Sequence, residues 1–264
     1  MKKKYRLALA DIFTGLGLWR VWMMLAWQDI RIRYRRSMLG PFWITISMAI
    51  TIYTMGFLYG HLFKMDLQVY FPFLATGLLT WSLISLLLME APSIFVESSD
   101  FIRQVKLPFT VYVMRVIMRN LIIFAHNTLA LLPLFFFLHM PFGWSLLAIF
   151  LGLFIIALTA LGYGMALGIL NARFRDFNPI ITSLVQVVFF LSPILWVPSS
   201  VPKRYYFAVA YNPFAQFVAL IRQPVLGHFP STHTFVVTIL TMLIGLALAF
   251  FLLVRTRHRI VFWL

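Results

Sequence analysis

Little in this sequence is equipped to make or break bonds. It has seven carboxylates (Asp11, Asp29, Asp66, Glu90, Glu97, Asp100 and Asp176), six histidines and no cysteine. Without cysteine there is no thiol nucleophile, disulfide or zinc–thiolate site. A hydrolase or transferase needs a placed acid, base or nucleophile. None of these carboxylates sits in the middle of a long apolar run, and no HExxH or GxSxG spacing occurs. Lysine never follows glycine, so the phosphate loop that cradles ATP is missing. The expectation is no catalytic residue, no metal set and no cofactor bound by this chain; any uphill work draws on a partner or an ion gradient. His126, beside Asn127, lies deepest in an apolar run. It reads as a helix-to-helix hydrogen-bonding group ahead of a proton or substrate site.

Two apolar stretches carry stripes of intermediate polarity. Trp43, Ser47, Thr51 and Thr54 share one side of the first, with His61 beyond them. Thr182, Gln186, Phe189, Phe190 and Trp196 share a side of the second. Hydroxyls exchange hydrogen bonds with sugars, and rings stack on pyranose C–H faces, so such stripes suit a glycan passage. Helix packing, with Ser and Thr bonded to their own backbone, explains them as well. The mixed-charge segment 90–110 has a helix-compatible middle that would offer Glu97, Asp100, Phe101 and Arg103 to a partner. A solvated connector is the alternative. Over 19–36 a helix would place Trp19, Met23 and Trp27 on one face and Arg20, Gln28, Arg31 and Arg35 on the adjoining one. That pattern suits the headgroup layer of a membrane.

The elements that must position these residues follow from composition. Hydrophobic residues make up 62% of the chain and charged ones 11%, against about 25% charged in a soluble domain. Too few charges remain to cover a soluble surface, so the solvent is lipid, and the long apolar runs read as helices. Six spans are expected, about 41–63, 70–89, 113–138, 144–170, 180–197 and 232–254, within one membrane domain. Residues 1–18 read as a basic cytosolic tail. The Pro-punctuated stretch 198–231 is too apolar for a solvated loop and reads as short helices dipping partway into the membrane. All but four of the 22 Lys and Arg (Lys64, Lys203, Arg204 and Arg222) fall on one side of this topology. The positive-inside rule then puts both termini in the cytosol. The net charge of +15 therefore belongs to the membrane surface, and nucleic acid is not the expected partner.

Five blocks then fall into a familiar order. They are Gln28-Asp-Ile-Arg-Ile-Arg-Tyr-Arg-Arg-Ser-Met-Leu-Gly40-Pro-Phe-Trp43, Phe101-Ile-Arg-Gln-Val-Lys-Leu-Pro108, Arg173-Phe-Arg-Asp176, Ser192-Pro-Ile and Tyr211-Asn-Pro-Phe214. The chain resembles, over nearly its whole length, the membrane subunit of type 2 ABC exporters, in the polysaccharide and polyol-phosphate export branch. Gln28 departs from the charged residue often found at its place.

The resemblance implies an all-α polytopic membrane protein: six transmembrane helices, an N-terminal amphipathic interfacial helix and short re-entrant helices before the last span. It implies a homodimer in a bacterial inner membrane, paired with two copies of an ATPase subunit that binds ATP and Mg. Glu97, Asp100, Phe101, Arg103 and Lys106 would form the coupling surface, with Arg173, Arg175 and Asp176 a smaller second contact. The first and fifth spans would line the pore, and 198–231 would gate its exit. Arg31, Arg33, Arg35 and Arg36 would frame the entrance, receiving a diphosphate or anionic lipid headgroups. The implied cargo is a polyprenyl-diphosphate-linked glycan, O-antigen first, with capsular polysaccharide or teichoic acid close behind. Two other readings stand beside it. One is a membrane enzyme processing lipid-linked glycan through Arg204, Arg222 or His228; the other is an exporter of drugs or small lipids.

Overall fold

A computed structural model describes residues 2–264 except Arg36, Pro41, His139, Pro141, Phe142, Val201, Lys203 and Tyr205. Among the described residues every regular element is helical. Five stretches are long and apolar enough to cross a membrane: Phe42–Leu62, Leu67–Glu97, Phe109–Phe137, Trp144–Arg173 and Thr232–Trp263. Their helices are α3 (Phe42–Leu62), α4 (Leu67–Glu90) with α5 (Ile94–Glu97), α7 (Phe109–Thr128) with α8 (Leu132–Phe137), α9 (Ala148–Arg173) and α13 (Thr232–Trp263). The molecule is thus an all-α, multi-pass membrane protein.

The stretch expected as a span at 180–197 is the shorter helix α10, Phe177–Leu191. Its 15 residues rise about 22 Å, less than the roughly 30 Å of hydrocarbon. It stops at Ser192-Pro193, because proline has no N–H to continue the ladder. Two more short helices follow, α11 (Tyr206–Ala210) and α12 (Pro213–Val225). At the start of α12, Phe214 meets Trp81 of α4, ring centroids 6.3 Å apart. Trp81 is about 21 Å along α4 from Leu67 at the helical rise, so α12 begins deep among the spans. It then rises to Pro224, whose carbonyl accepts from the Ser145 hydroxyl. Asn212 caps α12, its Oδ1 accepting from the amides of Phe214 and Ala215.

Ahead of the spans lie α1 (Lys2–Gly17) and α2 (Trp19–Arg33), bent by 64° to one another. The segment expected as a tail is therefore a packed helix over most of its length. Its anchor is Asp11, with a fully buried side chain. Asp11 accepts from the amides of Phe109 and Thr110 at 3.2 Å each, from the Thr110 hydroxyl at 3.1 Å and from Arg257 Nε at 3.2 Å. Pro108 stands at the N-cap of α7 and offers no capping side chain. Asp11 supplies that cap from another helix, its charge favoured at the positive helix end.

Packing centres on α4, which is buried along most of its length, whereas α3 buries only Ile52, Gly56 and Gly60. The tightest helix pair is α9 with α13. A Cβ on Gly162 would lie 2.5 Å from the carbonyl carbon of Gly245 and 2.6 Å from the amide of Leu246. Two backbones touch there, and lipid-embedded helices approach this closely only through such small residues. Replacing Gly162 by Leu is expected to force α9 and α13 apart at a cost of about 1–3 kcal/mol or more, lowering the melting temperature in detergent. Gly17→Ala, with nothing within 4 Å of its Cβ position, leaves it unchanged. Equal melting of the two variants would refute the contact.

Candidate functional site

The segments expected to meet a partner gather at one end of the bundle. This basic end carries α1, α5, the helix α6 (Ser99–Gln104), the turn at 174–176 and the last turns of α13. Three internal contacts hold the exposed segment in place. Phe95 is fully buried against Gly168 of α9, where a Cβ would come within 2.9 Å of its ring. The Asn171 side chain donates to the Pro92 carbonyl at 2.9 Å and accepts from the Asn178 amide at 3.2 Å. Ile102 is buried under α6. Outside this footing, Glu97, Asp100, Phe101, Arg103 and Lys106 are all exposed. This puts an aromatic ring flanked by both signs of charge on the exposed side of a short helix whose other side is fixed. Asn171 also ties the start of this segment to the second turn, where Arg175 and Asp176 are exposed. Arg173 is turned away from them, its guanidinium over the rings of Phe174 and of Trp263 on α13.

Beneath the surface lies a network that sequence reasoning missed. Arg115 Nε donates to Asp29 Oδ2 at 2.8 Å, and its terminal nitrogen donates to Oδ1. Arg119 bridges two carboxylates, giving one nitrogen to Asp29 Oδ2 and the other to Glu90 Oε2, each at 2.9 Å. The Asn120 amide adds a third donor to the pair, reaching Glu90 Oε2 at 2.6 Å. Arg33 lies on the rim, 3.7 Å from Glu90 Oε1. Arg115 and Arg119, which the sequence would let snorkel to the membrane surface, instead lock α2 and the end of α4 onto α7. The available signal was scarcity: a carboxylate inside a helix of so apolar a chain needs a cation. His126 turns out to bond its own turn, Nδ1 against the Ile122 carbonyl at 2.9 Å, while its carbonyl accepts from Thr45 of α3.

Of the four entrance arginines, Arg33 is committed to Glu90, Arg36 lies outside the described residues, and Arg31 and Arg35 are exposed. These last two line an open crevice of about 580 Å³ on α2 together with Trp27 and Gln28.

The first stripe faces outward and the second does so only in part. Trp43, Ser47, Thr51 and Thr54 are exposed on α3, whose other side bonds α7 and the following turn through Thr45 and Tyr53. On α10, Gln186 is exposed and Phe190 is 70% exposed. Thr182 bonds its own helix, Phe189 stacks near Trp81 at 5.7 Å, and Trp196 donates to the Phe190 carbonyl. α3 and α10 both pack on α4 and not closely on each other, so a single chain leaves the first stripe, and Gln186 and Phe190 of the second, uncovered.

At the opposite end Arg222 of α12 is buried. It donates to the Pro193 carbonyl at 2.8 Å, lies 3.7 Å over the Phe73 ring and fills the space left by Gly77. The Tyr70 hydroxyl donates to the Leu195 carbonyl at 2.6 Å. Arg222 thus anchors the turn after α10 and is not placed to act on an external substrate, which removes one of the residues an enzyme reading used. Among the described residues no cluster of metal-ligating side chains occurs.

Truncating Arg119 to Ala is expected to leave Asp29 to Arg115 and Glu90 to Asn120 and Arg33, and to destabilise the fold by about 2–3 kcal/mol through two lost charge-assisted hydrogen bonds. Arg33→Ala, on the exposed rim, costs under about 1 kcal/mol. Melting temperatures of the two purified variants check this; comparable losses would show that the network is not a buried unit.

The family described as ABC-2 type transporter matches this chain over residues 20–226. Similar proteins include the O-antigen export system permease protein RfbA of Klebsiella pneumoniae, 22% identical over 234 residues, 84% of this chain and 87% of the relative. The polysialic acid transport protein KpsM of Escherichia coli is 23% identical over 239 residues, 84% of this chain and 89% of its own. RfbA of Myxococcus xanthus is 26% identical over 182 residues, 67% and 68% of the two chains. With the match running from α2 to the end of α12, this multi-pass chain belongs to the ABC-2 type transporter family.

Proposed function

We propose that the chain is the permease subunit of an ATP-driven exporter that carries a lipid-linked polysaccharide, O-antigen first among candidates, from the cytosolic to the outer face of a bacterial inner membrane. The observation that carries this reading is the exposed stripe of Trp43, Ser47, Thr51 and Thr54 on α3, with Gln186 and Phe190 exposed on α10. Two copies meeting across these faces would enclose a conduit. Its walls would offer hydroxyls to sugar hydroxyls and rings to pyranose faces, with no tight site to hold the chain back. The names of the relatives agree in substrate class. KpsM, a polysialic acid transporter by name, favours capsular polysaccharide as the second reading.

The remaining parts take roles accordingly. Both termini and the basic end face the cytosol, as the distribution of Lys and Arg favours. Glu97, Asp100, Phe101, Arg103 and Lys106 seat in a separate ATPase, one per protomer, which binds ATP and Mg; Arg175 and Asp176 form the smaller contact. Closure of the two ATPases displaces α6. The displacement reaches Glu90 through α5, then Arg119 and Asp29, and so moves α2 at the entrance. Arg31 and Arg35 present guanidiniums there to the diphosphate or to lipid headgroups. α11 and α12 gate the far side.

Two tests address the reading separately. The sequence has no cysteine, so Thr51→Cys introduces the sole thiol, and oxidation in membranes is expected to yield a disulfide-linked dimer. Phe150→Cys, on the exposed face of α9, yields none. The reverse pattern would place the dimer axis elsewhere. Glu97→Lys with Asp100→Lys is expected to abolish co-purification with the ATPase and to stop export, leaving the melting temperature of the permease unchanged. Retained assembly and export would remove the coupling assignment.

A further inference from the structure

We propose that the crevice between α9 and α13 at the basic end is a binding site for an anionic phospholipid, its phosphate held between Arg173 and Arg255. α9 and α13 touch backbone to backbone at Gly162 and Gly245. By Arg173, about 16 Å further along α9 at the helical rise, a crevice of about 270 Å³ has opened between them. Its deeper wall is apolar, with Leu170 from α9 and Phe251 from α13; further out come Arg173, Arg255 and Thr256, and Trp263 stands last. An apolar wall that passes into two cations with a tryptophan beside them matches an acyl chain that passes into a phosphate at headgroup level.

The charges are uncompensated. Among the described residues neither Arg173 nor Arg255 takes part in an ion pair. Both are exposed, so no partner helix covers them. The Arg173 guanidinium lies 4.9 Å from the Phe174 ring centroid and 5.4 Å from that of Trp263. Rings occupy the faces of a guanidinium and leave its in-plane N–H groups unspent. They fix the cation in position while its donors stay open. Two like charges lining one crevice repel, and an anion between them reverses the sign of the interaction. A bare anion would fill only the mouth; the apolar wall running back toward the Gly162–Gly245 crossing calls for an acyl chain. Phe251 and Phe174 are 56% and 49% exposed, so the crevice opens toward lipid. It is built by helices other than α3 and α10, and the site does not depend on what the protein transports.

The test uses the full chain in detergent, with lipid retention read by native mass spectrometry and the melting temperature as a second readout. Phosphatidylglycerol is expected to bind and to raise the melting temperature, and phosphatidylcholine to do neither. Arg173→Gln with Arg255→Gln should weaken phosphatidylglycerol binding by at least about tenfold. Arg173→Lys with Arg255→Lys should keep most of it, and Lys64→Gln, at the opposite end, all of it. The proposal is overturned by a glutamine pair that binds like the unaltered chain. It is equally overturned if phosphatidylcholine binds as well, or if inorganic phosphate at the same concentration gives the same shift.

Discussion

Arg119 shared between Asp29 and Glu90 is the interaction on which the working end of this protein depends. The three residues come from α7, α2 and the end of α4. α2 carries its charges at its two ends and buries only Ala26 and Ile30, too little apolar surface to fix its angle against the bundle. Charge does that instead. Arg115 and Arg119 approach Asp29 together, so the carboxylate is gripped from two directions and α2 cannot roll without stranding a charge in a poorly hydrated place. Such pairs add little stability relative to an apolar substitute, but they are expensive to break one partner at a time. The element that frames one face of the membrane and the element that leads to the exposed coupling surface are therefore tied through one guanidinium.

A second constraint makes the tie useful. The segment after Glu90 rests on a firm bed: Phe95 against Gly168, the Pro92 carbonyl on Asn171, Ile102 beneath α6, and Asp11 on the amides where α7 begins. The segment is thus tied to α9 through Asn171 and to α7 and α2 through Glu90, while Asp11 ties α1 to the start of α7. Asp11 closes a further loop by accepting from Arg257, which brings the ends of the chain to bear on the same joint. In contrast, α3 and α10 are held on one side only. That asymmetry, rigid at the basic end and half-covered along the two stripes, is what the proposed conduit between two copies would use.

The spans were legible in the sequence because hydrocarbon imposes length and apolarity residue by residue, so Phe42–Leu62 or Thr232–Trp263 can be read locally. The exposure of Glu97, Asp100, Phe101 and Arg103 was legible for the same reason, since charge in an apolar chain has few other places to go. What was not legible is pairing across distance. Asp29 and Arg115 are separated by 86 residues, and Asp11 and Thr110 by 99; no periodicity records such a meeting. α1 was hidden because its docking depends on one buried carboxylate meeting residues 98 and 99 positions away, besides the short apolar stripe of Ala8, Ile12 and Leu16. α10 fell short of a span because Ser192-Pro193 ends the ladder, although the run of apolar residues continues to Val197. Arg222 counted as a charge of the far side by sequence, yet burial and backbone contacts decide its role.

Arg222 also shows how the far end can be held without salt bridges. A cation among spans normally takes a carboxylate, and none of the ion pairs among the described residues involves it. Instead a ring face from Phe73 and the carbonyl dipole of Pro193 stabilise it, in a niche that exists because residue 77 is glycine. Those contacts join α12 to the turn after α10 and both to α4. They are individually weaker than a paired carboxylate. The two ends of the molecule thus differ in kind: charge pairs that resist separation where force would enter, and weaker dipole and ring contacts where a passage would have to open.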